Sequence, residues 1–235
     1  MEFRRKIWNK SSIQELEKYL YNLKNIDKIE WTRNIVRTSQ PVLAIKLDVL
    51  KNIAKQISNG NYESFLDIMP DSSYEILLIS AYVISRIKNF QIQKKYLEIY
   101  SLKCDNWSSC DTLKFTIKNN EDNYLNLSKE YIQSPYPFVR RIGINILFSL
   151  LKTETYLNDI YEILNSFKGE NEYYVNMVNA WIICELFIKH RTQTIVFLSN
   201  HHLNKFTINK AISKCRDSYR VSKEDKEMLL QYKVK

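Results

Sequence analysis

The chain is 235 residues long, 45% hydrophobic and 26% charged, with only 3 Gly and 4 Pro. That balance excludes a disordered chain, and so few turn formers exclude a hairpin-rich sheet protein, leaving helices joined by short polar loops. Lys and Arg number 35 against 26 Asp and Glu, a net charge of +9, which suits a phosphate-rich partner but also fits a composition rich in Lys, Asn and Ile.

The first residues, Met1 to Lys6, are charged and lead into no apolar run, so no secretory signal is expected. The longest apolar stretch, Ile142 to Leu151, is interrupted by Gly143, Asn145 and Ser149. It falls well short of the roughly 18 residues a membrane span needs. No membrane association and a cytoplasmic location are expected. Nothing in the length requires two domains, so residues 1–235 are read as one.

Ser12 and Glu15 have the spacing of a capping box, which predicts that the first helix begins at Ser12, with Ile13, Leu16, Leu20 and Leu23 on one face. A second helix is predicted over residues 28–36 and a loop from Arg37 to Pro41. Leu50, Ile53, Ala54 and Ile57 mark a third helix, stopped at Asn59-Gly60. Helices follow over residues 62–69, 74–88 and 92–102, the middle one apolar on most sides and so deeply buried. Residues 109–118 and 124–133 come next. Pro135 and Pro137 precede an apolar helix over residues 138–151, and the series continues over 156–167, 172–190, 192–198 and 206–216. A last helix starts at Ser222, boxed by Asp225. The whole reads as all-α, an α-solenoid or an irregular bundle, with no clean internal repeat.

Cys104, Cys110, Cys184 and Cys215 form no C-x-x-C pair, and His190, His201 and His202 form no H-E-x-x-H pattern. Neither metal nor cofactor is expected; the thiols read as small buried hydrophobes and the imidazoles as surface groups. Trp107 enters a predicted helix in Asn106-Trp107-Ser108-Ser109-Cys110-Asp111, and Asp111, four residues on, shares its side of that helix. An acid near a helix start is also explained by the helix dipole. Trp181 sits mid-helix, where a core role is the default. Arg140-Arg141 and the basic stretch of Lys205, Lys210, Lys214, Arg216, Arg220 and Lys223 read first as solvated faces, the latter balanced by Asp217, Glu224 and Asp225, with phosphate contact along a cleft as the alternative for that stretch.

The Trp107–Asp111 segment resembles the W-x-x-x-D signature of the DNA alkylation repair (AlkD-like) proteins. Three further blocks occur in the family's order: Val42 to Lys55 as its loop-to-helix segment, Phe138-Val139-Arg140-Arg141 as its aromatic-x-x-Arg helix start, and Tyr173 to Trp181 as its second tryptophan helix. The tail from Lys214 to Ser222 is similar to one branch. Ala44, Asp48 and Leu50 stand where the family usually carries Gly, Pro and Arg.

The resemblance implies a curved α-solenoid of HEAT-like helix pairs holding double-stranded, alkylated DNA in a basic cleft. It implies a monofunctional glycosylase, a monomer releasing N3- or N7-alkylated purines. Asp111 takes the catalytic carboxylate position, Trp107 and Trp181 the two aromatic positions flanking the sugar, and Arg141, better than Arg140, the backbone-contacting arginine. Lys46, Lys210 and Lys214 are added as DNA contacts on charge and position. The alternative is a HEAT-like scaffold that binds DNA or a partner without cleaving bonds.

Overall fold

A computed structural model describes residues 2–235. Among the described residues the chain is all-α, without strands. It forms two compact units, one ending at Thr116 and the other spanning Ile117–Lys235.

The first unit holds α1 (Lys10–Asn22), α2 (Ile26–Val36), α3 (Leu47–Ser58), α4 (Tyr62–Ile68), α5 (Tyr74–Ile84), α6 (Phe90–Ser101) and α7 (Trp107–Thr112). Helix α1 starts earlier than Ser12. Asn9 is its cap, accepting from the Ser12 amide at 3.0 Å, while the Ser12 hydroxyl accepts from the Asn9 amide at 2.8 Å. Ser12 is thus the far member of the box rather than its start, and the Asn9 side-chain oxygen does the capping.

The segment before α1 lies along the α3–α4 turn. Phe3 and Trp8 are buried, the Phe3 amide donates to Gln56 Oε1 at 2.8 Å, and the Asn61 amide donates to the Arg5 carbonyl at 2.9 Å. Helix α3 ends where Asn59-Gly60 predicts, although Gly60 has no positive φ. Its need is steric: a Cβ there would lie 2.5 Å from the Arg5 carbonyl oxygen.

Helix α5 is the buried centre of this unit, as its apolar composition predicts, and it packs on α3, α6 and α7. It ends at Ile84 rather than near residue 88, its Ser85 C-cap hydroxyl bonding the Ala81 carbonyl at 2.6 Å. Helix α7 stops at Thr112 rather than 118. The Lys114 amide turns to the Ser85 hydroxyl at 2.9 Å instead of continuing a helical ladder, and Thr116 and Ile117 are weak helix formers. Tyr74 meets Ser108 at the start of both helices and Ser85 meets Lys114 beyond their ends, so α5 and α7 run parallel.

The second unit holds α8 (Glu121–Tyr131), α9 (Pro137–Leu150), α10 (Leu157–Ser166), α11 (Tyr173–Lys189), α12 (Arg191–Asn200), α13 (Lys205–Asp217) and α14 (Lys223–Met228), closed by a 3₁₀ turn over Leu229–Tyr232. Pro137 occupies the first turn of α9, where a missing N–H costs nothing. Gly143 lets α9 approach the end of α8, since a Cβ there would come within 3.1 Å of Tyr131 and Ile132 side-chain atoms. The Ser128 hydroxyl donates to the Gly143 carbonyl across that contact at 2.7 Å.

Ring contacts Phe138–Tyr174 and Phe148–Trp181 advance together along α9 and α11, so these helices are parallel. Asn176–Thr207 and Glu185–Arg220 show the same for α11 and the stretch through α13. The parallel row shares one core, in which Ile144, Leu147, Val178, Ile182, Ile208 and Ile212 are fully enclosed. Each unit is therefore a solenoid-like stack of helices on near neighbours.

All four cysteines are free and buried, as expected of small hydrophobes. His190 is not a surface imidazole: it is buried, with Nε2 3.0 Å from the Leu151 carbonyl. No described helix is long and apolar enough to cross a membrane.

Candidate functional site

In the first unit the short helix α7 carries Trp107 and Asp111, both half-buried. Their i, i+4 spacing sets them on one side of it. Asn106 caps the helix by accepting from the Ser109 amide at 2.9 Å, and the Tyr100 hydroxyl donates to the Ser109 carbonyl at 3.0 Å. The Trp107 indole Nε1 donates to the Ile35 carbonyl in the last turn of α2, at 3.1 Å. The ring is thereby fixed at the junction of α2 and α7.

That junction is built by residues with no signal in the sequence reading. Asp105, just before the cap, accepts from the Thr38 hydroxyl at 2.7 Å and from the Ser39 amide and hydroxyl at 2.6 Å each. Burial would raise its carboxyl, but the hydrogen bonds from Ser39, Asn106 and Thr38 outweigh it and hold Asp105 below the usual carboxylate range. Tyr74, whose hydroxyl lies 2.7 Å from the Ser108 hydroxyl, is pushed up to about 12 chiefly by burial.

Glu75 is buried and accepts from the Leu43 and Ala44 amides at 3.0 and 2.7 Å. Burial is the main cause holding its carboxyl above the ordinary value, against the lowering effect of those amides. The loop it holds contains two left-handed residues, Arg37 with φ 58° and Ala44 with φ 57°. Ala44, which the resemblance sets at a position usually held by Gly, has a backbone angle that Gly adopts without the cost of a Cβ. Single polar anchors of this kind leave no periodicity, so only the spacing of the cap at Asn106 could have pointed to them.

Lys46 is exposed at the N-cap of α3, just after that loop. Helix α2 has one buried residue, Val36, and presents Trp31 at 65% exposure on the same side as Ile35.

In the second unit Trp181 is 39% exposed, its ring centroid 4.5 Å from that of Phe148, so it is not a fully buried core residue. Arg141 is buried and its Nη1 donates to the Tyr174 carbonyl at 2.5 Å. Arg140 is held by Glu170 through Nε and Nη2 at 2.8 and 3.1 Å, and by the Ser134 and Pro135 carbonyls at 2.9 and 3.0 Å. It is neither a solvated surface charge nor an open one. Lys210 is exposed, with Nζ 5.8 Å over the Phe206 ring, and Lys214 is half-buried one turn further along α13. Among the described residues, no three His, Cys, Asp or Glu side chains are gathered as metal ligands would be.

A family model described as "DNA alkylation repair enzyme" matches residues 16–215. The chain belongs to the DNA alkylation repair enzyme family. Membership supports a role in DNA alkylation repair, with DNA as the partner. The match takes in α7 with Trp107 and Asp111, α11 with Trp181, and α13 as far as Cys215. No curated protein matches the chain.

Proposed function

We propose that this DNA alkylation repair protein is a monofunctional glycosylase that releases N3- or N7-alkylated purines by cleaving the N-glycosidic bond. The observation carrying this is the half-exposed pair of Trp107 and Asp111 on one side of α7, with the indole fixed by the Ile35 carbonyl.

Alkylation at N3 or N7 leaves the purine cationic, so the base departs without a general acid. The barrier lies in the oxocarbenium-like sugar that forms as the bond breaks. A positioned carboxylate at Asp111 opposes that charge and orients the attacking water. The Trp107 ring offers its π-face to the same cation, and its fixed position means that little ordering remains for the reaction step. On the family resemblance Trp181 takes the second aromatic role and Arg141 the backbone-contacting one, while Lys46, Lys210 and Lys214 contribute phosphate contacts and electrostatic attraction. Arg140, engaged by Glu170, then shapes the α9–α11 surface more than it touches phosphate. The single chain acts as a monomer in the cytoplasm, on double-stranded DNA, with no metal or cofactor; residues 1–235 work as one functional domain.

A second reading, a DNA-binding module without catalysis, draws on one observation: both arginines of the α9 start make internal bonds, to Glu170 and to the Tyr174 carbonyl. Base release from duplexes containing 7-methylguanine or 3-methyladenine separates the two. Release by the native chain and its loss in Asp111→Asn, with DNA binding retained, supports the enzyme. Equal release by both removes Asp111 from the reaction, and binding without release by either favours the module.

A further inference from the structure

Four aromatic rings form a continuous arc across the starts of α9, α11 and α13. Phe138 and Tyr174 have centroids 5.7 Å apart, Tyr174 and Tyr173 5.1 Å, and Tyr173 and Phe206 5.8 Å. Phe138 and Tyr174, the inner pair, are half-buried, but Tyr173 is 54% and Phe206 38% exposed. Core packing explains the inner pair and leaves the outward faces of Tyr173 and Phe206 without a role.

The arc is also held in place from beneath. Arg141 bonds the Tyr174 carbonyl, and buried Asn176 ties α11 to α13, its Oδ1 accepting from Thr207 Oγ1 at 2.7 Å and Asn204 Nδ2 at 3.0 Å. A rigid aromatic platform loses little entropy on binding a flat ligand.

The electrostatics around it are positive. The three helices are parallel, so their electropositive N-termini gather at this end. Lys205 and Lys210 are exposed beside Phe206, and Lys210 reaches over its ring. Of the acids on the same rim, Glu170 is neutralised by Arg140, which leaves Glu172 at the start of α11 as the opposing charge.

The geometry points to a stacking site for an unpaired nucleotide of DNA, its base on the exposed Tyr173 and Phe206 faces and its phosphate at Lys205 and Lys210. Paired bases have both faces covered by their neighbours, so only an unstacked base fits such a platform, whereas a neutral apolar peptide would gain nothing from the positive rim. This rests on the reading of the chain as DNA-binding and adds a preference for helix interruptions to it.

The test is fluorescence anisotropy with the full chain and two undamaged probes, a fully paired duplex and the same duplex carrying one unpaired thymidine. Base–aromatic stacking leads us to expect roughly tenfold tighter binding of the interrupted duplex. The Tyr173→Ala/Phe206→Ala double variant should lose that preference while binding the paired duplex as the native chain does, and Tyr173→Phe should keep it. Should the double variant melt early, the single exposed change Tyr173→Ala carries the comparison, with a partial loss expected. Equal affinity of the native chain for both probes, or a preference surviving both alanine variants, overturns the stacking site while leaving the glycosylase reading intact. Absence of binding to either probe also overturns the stacking site, and base release from the alkylated duplexes then decides the glycosylase reading on its own.

Discussion

The Trp107 indole nitrogen and the Ile35 carbonyl are hydrogen-bonded at 3.1 Å, so a residue proposed for catalysis also secures the last turn of α2. Trp107→Phe keeps an aromatic face but leaves that carbonyl without its donor. The bond is solvent-accessible, so the expected loss of stability is about 0.5–1 kcal/mol in chemical denaturation. Amide exchange near Ile35 should accelerate more than exchange in α5. Equal stability with unchanged exchange would mean that the indole is held by packing alone.

Asp105 gives the same junction a pH dependence. Its folded-state pKa lies below the unfolded value, so the chain gains stability above the unfolded pKa and loses it as pH falls through the folded one. Thermal melts across the acidic range should show this decline. In Asp105→Asn the slope should shrink and the melting temperature at neutral pH should fall, because an amide cannot accept from Thr38 and Ser39 as a carboxylate does.

Ala44→Gly is expected to stabilise the protein. The left-handed backbone at φ 57° costs a residue with a Cβ roughly 1–2 kcal/mol, and the greater unfolded-state freedom of Gly returns part of that, leaving a net gain of about 0.5 kcal/mol. Denaturant midpoints measure it. A lower midpoint would show that the Glu75 bonds to this loop depend on the Ala44 side chain.

Gly60→Ala should act the opposite way. A Cβ 2.5 Å from the Arg5 carbonyl oxygen forces backbone apart from backbone, and neither side is the flexible end of a side chain. About 1–3 kcal/mol of destabilisation is expected. Faster amide exchange at Phe3 and Asn61, whose amides bond across this turn, would locate the damage.

Helix identity was legible in the sequence because burial and period coincide. Leu50, Ile53, Ala54 and Ile57 form a stripe in the chain and a buried stripe in the structure. Boundaries were less so, since they are set by single polar contacts such as Asn9 at α1 and Ser85 at both α5 and the segment after α7. At the candidate site the Trp107–Asp111 spacing was readable, being local. Asp105 with Thr38 and Ser39, Tyr74 with Ser108, and Glu75 with Leu43 and Ala44 were not, because each joins residues thirty or more positions apart. Arg140 looked like surface charge for the same reason: Glu170 lies thirty residues away.

The principal helix contacts join elements that are adjacent or one removed along the chain: α3 with α5, α5 with α7, α8 with α9, α9 with α11, α11 with α13. Such short-range wiring keeps loop-closure entropy small and favours rapid assembly. During synthesis, the later helix of each such pair would leave the ribosome to find its partner already outside, so folding can proceed vectorially, one pair after another, before the last residue is made.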